Sequence, residues 1–417
     1  MAIHVMIKLK YSTESREIEK SIKELSDNVM SFNYDDSYSW VSKSPAEVRI
    51  PIEGFPFTTE TTFEQQKGHI LIRGKLDTRE WKLVESFNFV EKVFRDSNIQ
   101  FSSSKNNIQY FRDTNKLNID TIRRELKIHK LWKKKLYGKN IVVGVVDSGI
   151  EINSTRREYP SFPQVIGGYP ANNFGTKSLW DCHGNMVAYD ILTMAPKVKL
   201  LDIRVAEHIN SSKLSDIAKA YSWVETNFIK HGTPHILNNS WALYNHMSDL
   251  SFAHNINHPV TEWVAKLVSL GISIVFSAGN CGCSSDSRCG NSYGYNSSIW
   301  GANSHPSVIT VGAVRYLKPN DFIIENYSSV GNGSLSPHKP DLVCYSNIKL
   351  RGKTHTGTSV SAPFVSGILA LLYQKDPNID PFTLKDLLIN NCTRSLPYFS
   401  KSYGHGLINP FEVEKYI

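Results

Sequence analysis

Residues 3–9 alternate Ile3, Val5, Ile7 and Leu9 with His4, Met6 and Lys8, the period-2 pattern of a half-buried strand. Ile18, Ile22, Leu25 and Val29 then recur at helical spacing, with Ser12 and Thr13 ahead of them as caps. After a stretch rich in Ser, Asp, Tyr and Pro, Val48, Ile50 and Ile52 predict a strand whose edge or end suits Pro51. Ile70 to Leu76 predicts another strand. Thr78 caps a short predicted helix carrying Trp81, Val84 and Phe87, and Val90 to Phe94 returns to strand pattern. The order β-α-β-β-α-β is that of a small ferredoxin-like α+β unit. A polar stretch, SSSKNN, follows Phe101. Beyond it Ile119, Ile122, Leu126, Leu131, Trp132 and Leu136 predict an amphipathic surface helix, with Arg123, Arg124, Lys127, Lys130 and Lys133–Lys135 along its rim.

From Ile141 the pattern changes. Apolar runs (IVVGVV, VKLLDIRV, HILNNSW, ISIVFSAG, SVITVGAV) alternate with helical stretches such as residues 213–230 and 260–270. Strands that read as continuous apolar runs, separated by helices, predict an α/β domain with a parallel sheet buried on both faces. Chemistry in such sheets gathers at the carboxyl ends of strands. Polar punctuation falls there, at Asp147-Ser148-Gly149, Asn238-Asn239-Ser240 and Asn280.

The chain of 417 residues has room for one large domain and one small one, and 41% apolar with 21% charged residues is an ordinary globular composition. Lys+Arg minus Asp+Glu is 47 − 39, or +8, which reads as a solvated surface and not as a nucleic-acid footprint. No apolar run of about 20 residues exists, so no membrane-spanning helix is expected. The start, MAIHVMIKLKYSTE, lacks the pattern of a secretory signal, and a cytoplasmic location is the expectation.

Four residues at strand or helix ends carry candidate chemistry. Asp147 ends a buried strand. His183, in DCHGNMVA, stands where a helix starts. Ser359, in GTSVSAPFVSGILALL, enters a strongly apolar helix, and Asn280 follows IVFSAG. A serine hydroxyl is a weak nucleophile that needs an imidazole to take its proton. The imidazole needs a carboxylate to fix its tautomer, and a side-chain amide can donate to the oxyanion that forms. Singly, each residue is as well explained as a cap, turn or core residue. Their joint occurrence in one chain is what points to catalysis.

These blocks resemble a subtilisin-like serine protease of the subtilase family over about residues 117–417. The likeness runs through GKNIVVGVVDSGI at Asp147, HG at His183, MAPKVKLLDIRV, ILNNSWA, VFSAGN at Asn280, HPSVITVGAV, KPDLV, GTSVSAP at Ser359 and YGHGLINP. The order Asp, His, Ser is that of subtilisin. The resemblance implies a serine endopeptidase acting on polypeptides. Asp147 would be the orienting carboxylate, His183 the general base and acid, and Ser359 the nucleophile. Asn280 and the Ser359 N–H would form the oxyanion hole. Ser240, Trp241 and Ala242, with Ser277, Ala278 and Gly279, would be the substrate-binding edges. No cofactor or metal is implied. Only GNMVAYDILTM separates His183 from Ala195-Pro196, too little for the family's calcium loop. Where the family reads HGTHVAG this chain has HGNMVAY, so Asn185, Met186 and Tyr189 should change the packing of that helix. Trp241 and Ala242 replace Leu and Gly, so Trp241 should reshape the pocket and Ala242 should narrow it.

Residues 1–105 then read as a propeptide-like or regulatory α+β domain, residues 106–116 as a linker, and 117–417 as the peptidase domain. The N-terminal domain would be a self-inhibitor, released by one self-cleavage between Phe101 and Asn107. Cys281, Cys283 and Cys289 leave three readings open: part of a zinc site, a disulfide from Cys289 to Cys281 or Cys283, or reduced thiols. The rivals to a peptidase are a catalytically silent scaffold on the same fold and a nucleic-acid binder using the Lys-rich 123–139 segment.

Overall fold

The computed structural model describes residues 2–52, 61–101, 117–155, 157, 159–176, 182–206, 212–283, 287–290, 297–350, 352–393 and 398–417. The expected linker, 106–116, lies outside the described residues.

The apolar run that ends in Asp147 folds as the strand Val142–Asp147, buried at every position. It pairs in parallel with Lys199–Arg204 on one side and Ile236–Asn239 on the other. Val165–Tyr169 extends the sheet beyond the first, and Ser273–Ser277 and Ile309–Lys318 beyond the second, all in parallel. Leu342–Tyr345 pairs in parallel with Ile309–Lys318. Asp321–Ile324 runs antiparallel to that same strand and is an exception to the expected parallel sheet. The reason is local: Tyr316–Lys318 leaves the core, and Asn320 turns the chain back in the left-handed region at φ 60°.

The helices His183–Met194 and Thr358–Lys375 pack on one face of this sheet, and Leu214–His231 and Pro259–Ser269 on the other. The first pair touch closely because Gly367 has no side chain. A Cβ there would lie 2.7 Å from the Ile191 carbonyl oxygen.

The N-terminal domain is an antiparallel sheet in the order Asn33–Tyr34, His69–Asp77, Ala2–Lys10, Val90–Arg95, with Val41–Lys43 also pairing His69–Asp77. Val5, Ile7 and Leu9 pack with Ile18 and Leu25 of the helix Ser15–Asn28. The first strand is not half-exposed as its alternation suggests. Met6 is fully buried with Leu71 and Phe94 in the core beneath the helices of the larger domain, and Lys8 pairs with Glu262 at 2.9 Å. The sheet is buried on both faces because the larger domain covers its second face.

Two further expectations change. The 48–52 strand does not enter this sheet: Ala46–Pro51 forms a hairpin with Thr61–Gln66, and Val48 and Ile50 pack on Ala265. The predicted 119–136 helix is two helices, Ile119–Glu125 and Ile128–Lys133, broken at Lys127 with φ 56°. Its basic residues hold neighbouring structure: Arg123 lies over Trp132, and Lys130 and Lys134 lie against Phe411.

Candidate active site

Asp147 closes the central strand and turns its Oδ1 to two donors, the Ser148 N–H at 2.8 Å and the His183 Nδ1 at 2.8 Å. His183 is the first residue of its helix and nearly fully buried. That helix start is fixed from the Asp147 loop. The Gly184 N–H donates to the Ser148 hydroxyl, and the Glu151 N–H donates to Asn185 Oδ1 at 2.7 Å. Gly184 is required sterically, since a Cβ on it would lie 2.2 Å from the Gly149 carbonyl oxygen. Asn185 thus has a definite task as a loop tie, and Tyr189 packs edge-on against Tyr159.

Ser359 is buried at the second position of its helix, which begins after Gly357 at φ 109°. Helix N-termini favour negative charge nearby. Asn280 follows the strand Ser273–Ser277. Its side-chain amide oxygen Oδ1 accepts from the Thr358 N–H at 3.0 Å and from the Thr358 hydroxyl at 2.9 Å. That hydroxyl in turn accepts from the Gly279 N–H at 3.2 Å. With Oδ1 held in this way, the amide nitrogen of Asn280 is the end left to meet a ligand. Thr358 was not singled out by sequence reasoning, although it sits inside the GTS motif.

Ser240, Trp241 and Ala242 follow the strand Ile236–Asn239, and Ser277 ends the strand Ser273–Ser277, with Ala278 and Gly279 after it. Asn303 joins the two edges, donating from Nδ2 to the Trp241 carbonyl at 2.8 Å and the Ser277 carbonyl at 2.9 Å. The sequence pattern gave no sign of this tie. The ring of Trp241 is fully buried against Phe276 at 5.1 Å and donates from its indole N–H to Asn239 Oδ1, in the same buried cluster as Phe101. The two edges lie close together at Ala242, whose methyl is 3.5 Å from where a Cβ on Gly279 would stand.

The N-terminal domain sends its tail into this groove. Gln100–Phe101 pairs antiparallel with Trp241–Ala242. On the opposite side the Ile99 N–H donates to the Ser212 carbonyl at 3.1 Å and the Leu214 N–H to the Ser97 carbonyl at 3.1 Å. Residues 97–101 therefore lie between the two segments, paired with Trp241–Ala242 at Gln100–Phe101 and bridged to Lys213 at Asn98. The Ser212–Leu214 wall was missed because SSKLSD carries no apolar alternation. The Phe101 ring lies 5.8 Å from the His183 ring. Nearby, Asp96 caps the helix Leu214–His231, accepting from the Ser215 N–H at 2.9 Å and the Ser215 hydroxyl at 2.8 Å. Burial pushes the Asp96 carboxyl up to about 6 against those two bonds. Burial, reinforced by Lys8, Lys43 and Lys266, holds His69 of the same interface well below the ordinary imidazole value.

Cys281 and Cys289 are disulfide-bonded, and Cys283 is an exposed free thiol. Among the described residues no three His, Cys, Asp or Glu side chains are grouped to hold a metal ion.

A family model described as the subtilase family, Peptidase S8, matches residues 138–406. The chain belongs to the subtilase family. This subtilase is a subtilisin-like serine peptidase, similar to subtilisin DY of Bacillus licheniformis with 28% identity over 68% of this chain and 94% of that one. It is also similar to the serine protease AprX of Bacillus subtilis, at 27% identity over 66% of each chain. The crystal structure of fervidolysin from Fervidobacterium pennivorans, a keratinolytic enzyme related to subtilisin, superposes with a TM-score of 0.63 at 18% identity. That match covers 100% of the subtilase and 61% of fervidolysin, so the shared fold takes in the N-terminal domain.

Proposed function

We propose that this subtilase cuts extended polypeptides through a Ser359–His183–Asp147 triad and an acyl-enzyme, and that residues 1–105 are its self-processed inhibitor. The observation that carries the first part is the 2.8 Å bond from His183 Nδ1 to Asp147 Oδ1. With Nδ1–H donated to the carboxylate, Nε2 is the basic nitrogen of the ring. In the reaction Nε2 takes the Ser359 hydroxyl proton as Oγ attacks the peptide carbonyl. The oxyanion is met by the Asn280 amide and the Ser359 N–H. His183 then passes its proton to the leaving amine, and water repeats the sequence on the acyl-enzyme.

The inhibitor role is supported by the antiparallel pairing of Gln100–Phe101 with Trp241–Ala242 and by the backbone bonds of residues 97–99 to the opposite side, since strand addition at an edge is how clamp-like sites take peptides. The cut falls beyond Phe101, in residues that lie outside those described. Intact mass of wild type and Ser359→Ala, both expressed from Met1, tests it. The proposal requires two fragments from wild type and one whole mutant chain. A wild type that stays whole yet hydrolyses peptides leaves residues 1–105 as a resident domain. The Cys281–Cys289 bridge favours an oxidising compartment over the cytoplasm, and a thiol count on unreduced protein checks this. Four titratable thiols support the oxidising site; six support the cytoplasmic one.

A further inference from the structure

We propose that Arg288 is a substrate-binding residue that grips the main-chain carbonyl one residue upstream of the bond cut, a role that rests on the peptidase reading above. Arg288 Nη1 donates to the Phe101 carbonyl at 3.0 Å, and the guanidinium lies over the ring of Tyr244 at 4.7 Å. Tyr244 is fully buried, and its own N–H donates to the Gln100 side-chain oxygen at 3.1 Å. The aromatic face orients the planar cation before a peptide arrives.

The loop that carries Arg288 is tied to the oxyanion side of the site. Cys289, the next residue, is bridged to Cys281, which directly follows Asn280. Cys281 and Cys289 are buried with Ala242 and Tyr244 in one cluster. The Cys281 N–H donates to the Ser329 hydroxyl at 2.9 Å, and the Cys283 N–H to the Asn326 carbonyl at 2.7 Å. Arg288, just inside this bridge, and Asn280, just outside it, are thus each one residue from a bonded cysteine.

The register follows from the main chain. Ser97 and Ile99 turn their polar groups to the Ser212–Leu214 wall, and the intervening residues of an extended strand turn theirs the other way. Phe101 places its ring beside the imidazole and gives its carbonyl to Arg288. On this proposal the carbonyl presented to Asn280 is the next one along the peptide. The bond from Arg288 is to main chain, so it serves every peptide long enough to have that carbonyl.

The test compares two esters that end in the same residue, a tetrapeptide ester and a one-residue ester whose amine carries no acyl group. The second has no carbonyl for Arg288 to hold. The full chain is expressed from Met1, and the quantity read is the ratio of kcat/KM for the two esters. Occupancy of the groove by the N-terminal tail scales both values and leaves their ratio intact. A bond to a charged donor predicts that Arg288→Ala lowers the ratio by about 10- to 100-fold. Arg288→Lys, which keeps the charge without the stacked fork, should fall between, and Arg288→Gln should resemble the Ala variant. A ratio equal to wild type in all three variants overturns the proposal, and so does an equal loss on both esters, which marks a structural role. Wild type that hydrolyses neither ester refutes the peptidase reading itself, and the clamp with it.

Discussion

Replacing Thr358 with Val removes one hydroxyl and little volume, and it tests how the oxyanion donor is oriented. The Thr358 hydroxyl makes one of the two bonds that fix the Asn280 side-chain oxygen Oδ1, the other coming from the Thr358 N–H, which Val keeps. Full loss of such an amide costs about 10²–10³ in kcat, a size taken over from subtilisin. Loss of one of two neutral bonds that aim it is worth about 0.5–1.5 kcal/mol, or roughly 2- to 10-fold in kcat. KM should change little, because the developing charge is stabilised and the ground-state carbonyl is not. The Gly279 N–H also loses its acceptor in a buried site, so unfolding free energy should fall by about 1–3 kcal/mol. The assay is steady-state kinetics of Thr358→Val, Asn280→Ala and the double variant. If Thr358 acts through Asn280, its substitution costs almost nothing further once Asn280 is Ala. An undiminished loss in that background, or a rise in KM at constant kcat, refutes this account of Thr358.

Three other outcomes are expected. Gly184→Ala should drive its methyl against the Gly149 carbonyl and displace His183, lowering kcat about 10²-fold, so a wild-type rate in kinetics on the purified variant contradicts the reasoning. Asn280→Ala alone should lower kcat by about 10²–10³, and a KM effect at constant kcat would assign it to substrate binding instead. His258 is buried, its Nδ1 accepting from the Val260 N–H, and burial first, then Lys8, lowers it to about 3. Since its pKa in the fold lies below its ordinary 6.5, its contribution is present above pH 6.5 and is lost as pH falls from 6.5 toward 3, at about 1.4 kcal/mol per pH unit. His258→Asn keeps a cap acceptor and cannot charge, so urea unfolding between pH 6.5 and 4.5 should show a loss about 2–3 kcal/mol smaller than wild type; an unchanged slope contradicts it.

Asp147 and Asn280 were legible at or just past the carboxyl ends of apolar strands, and His183 and Ser359 at the starts of helices, each with a glycine close by in the chain. Thr358 and Asn303 were not, since their work depends on bonds to residues as far away in sequence as Asn280 and Trp241. The Ser212–Leu214 wall is made by main-chain groups, which any side chain can carry, so its sequence is silent about its task. Val48 and Ile50 announced a strand correctly, but alternation names no partner: the strand pairs with the hairpin arm Thr61–Gln66, and Val48 and Ile50 rest on Ala265. Lys127 broke a well-marked helical pattern because Ile128 and Leu131 had to be turned into the core. Met6 and Lys8, on the polar side of an alternating strand, are buried because a second domain covers them. A single-strand pattern has no means of reporting that.

Labelling the full chain from Met1 with an active-site-directed fluorophosphonate, followed by peptide mapping and peptide turnover in the same samples, tests the central claim most directly. The account predicts one adduct, on Ser359, with loss of turnover, and no adduct in Ser359→Ala or His183→Ala, each of which should also lose about 10⁶-fold in kcat, a size borrowed from subtilisin. Retained turnover in Ser359→Ala, or an adduct on any other residue of the active wild type, would contradict it.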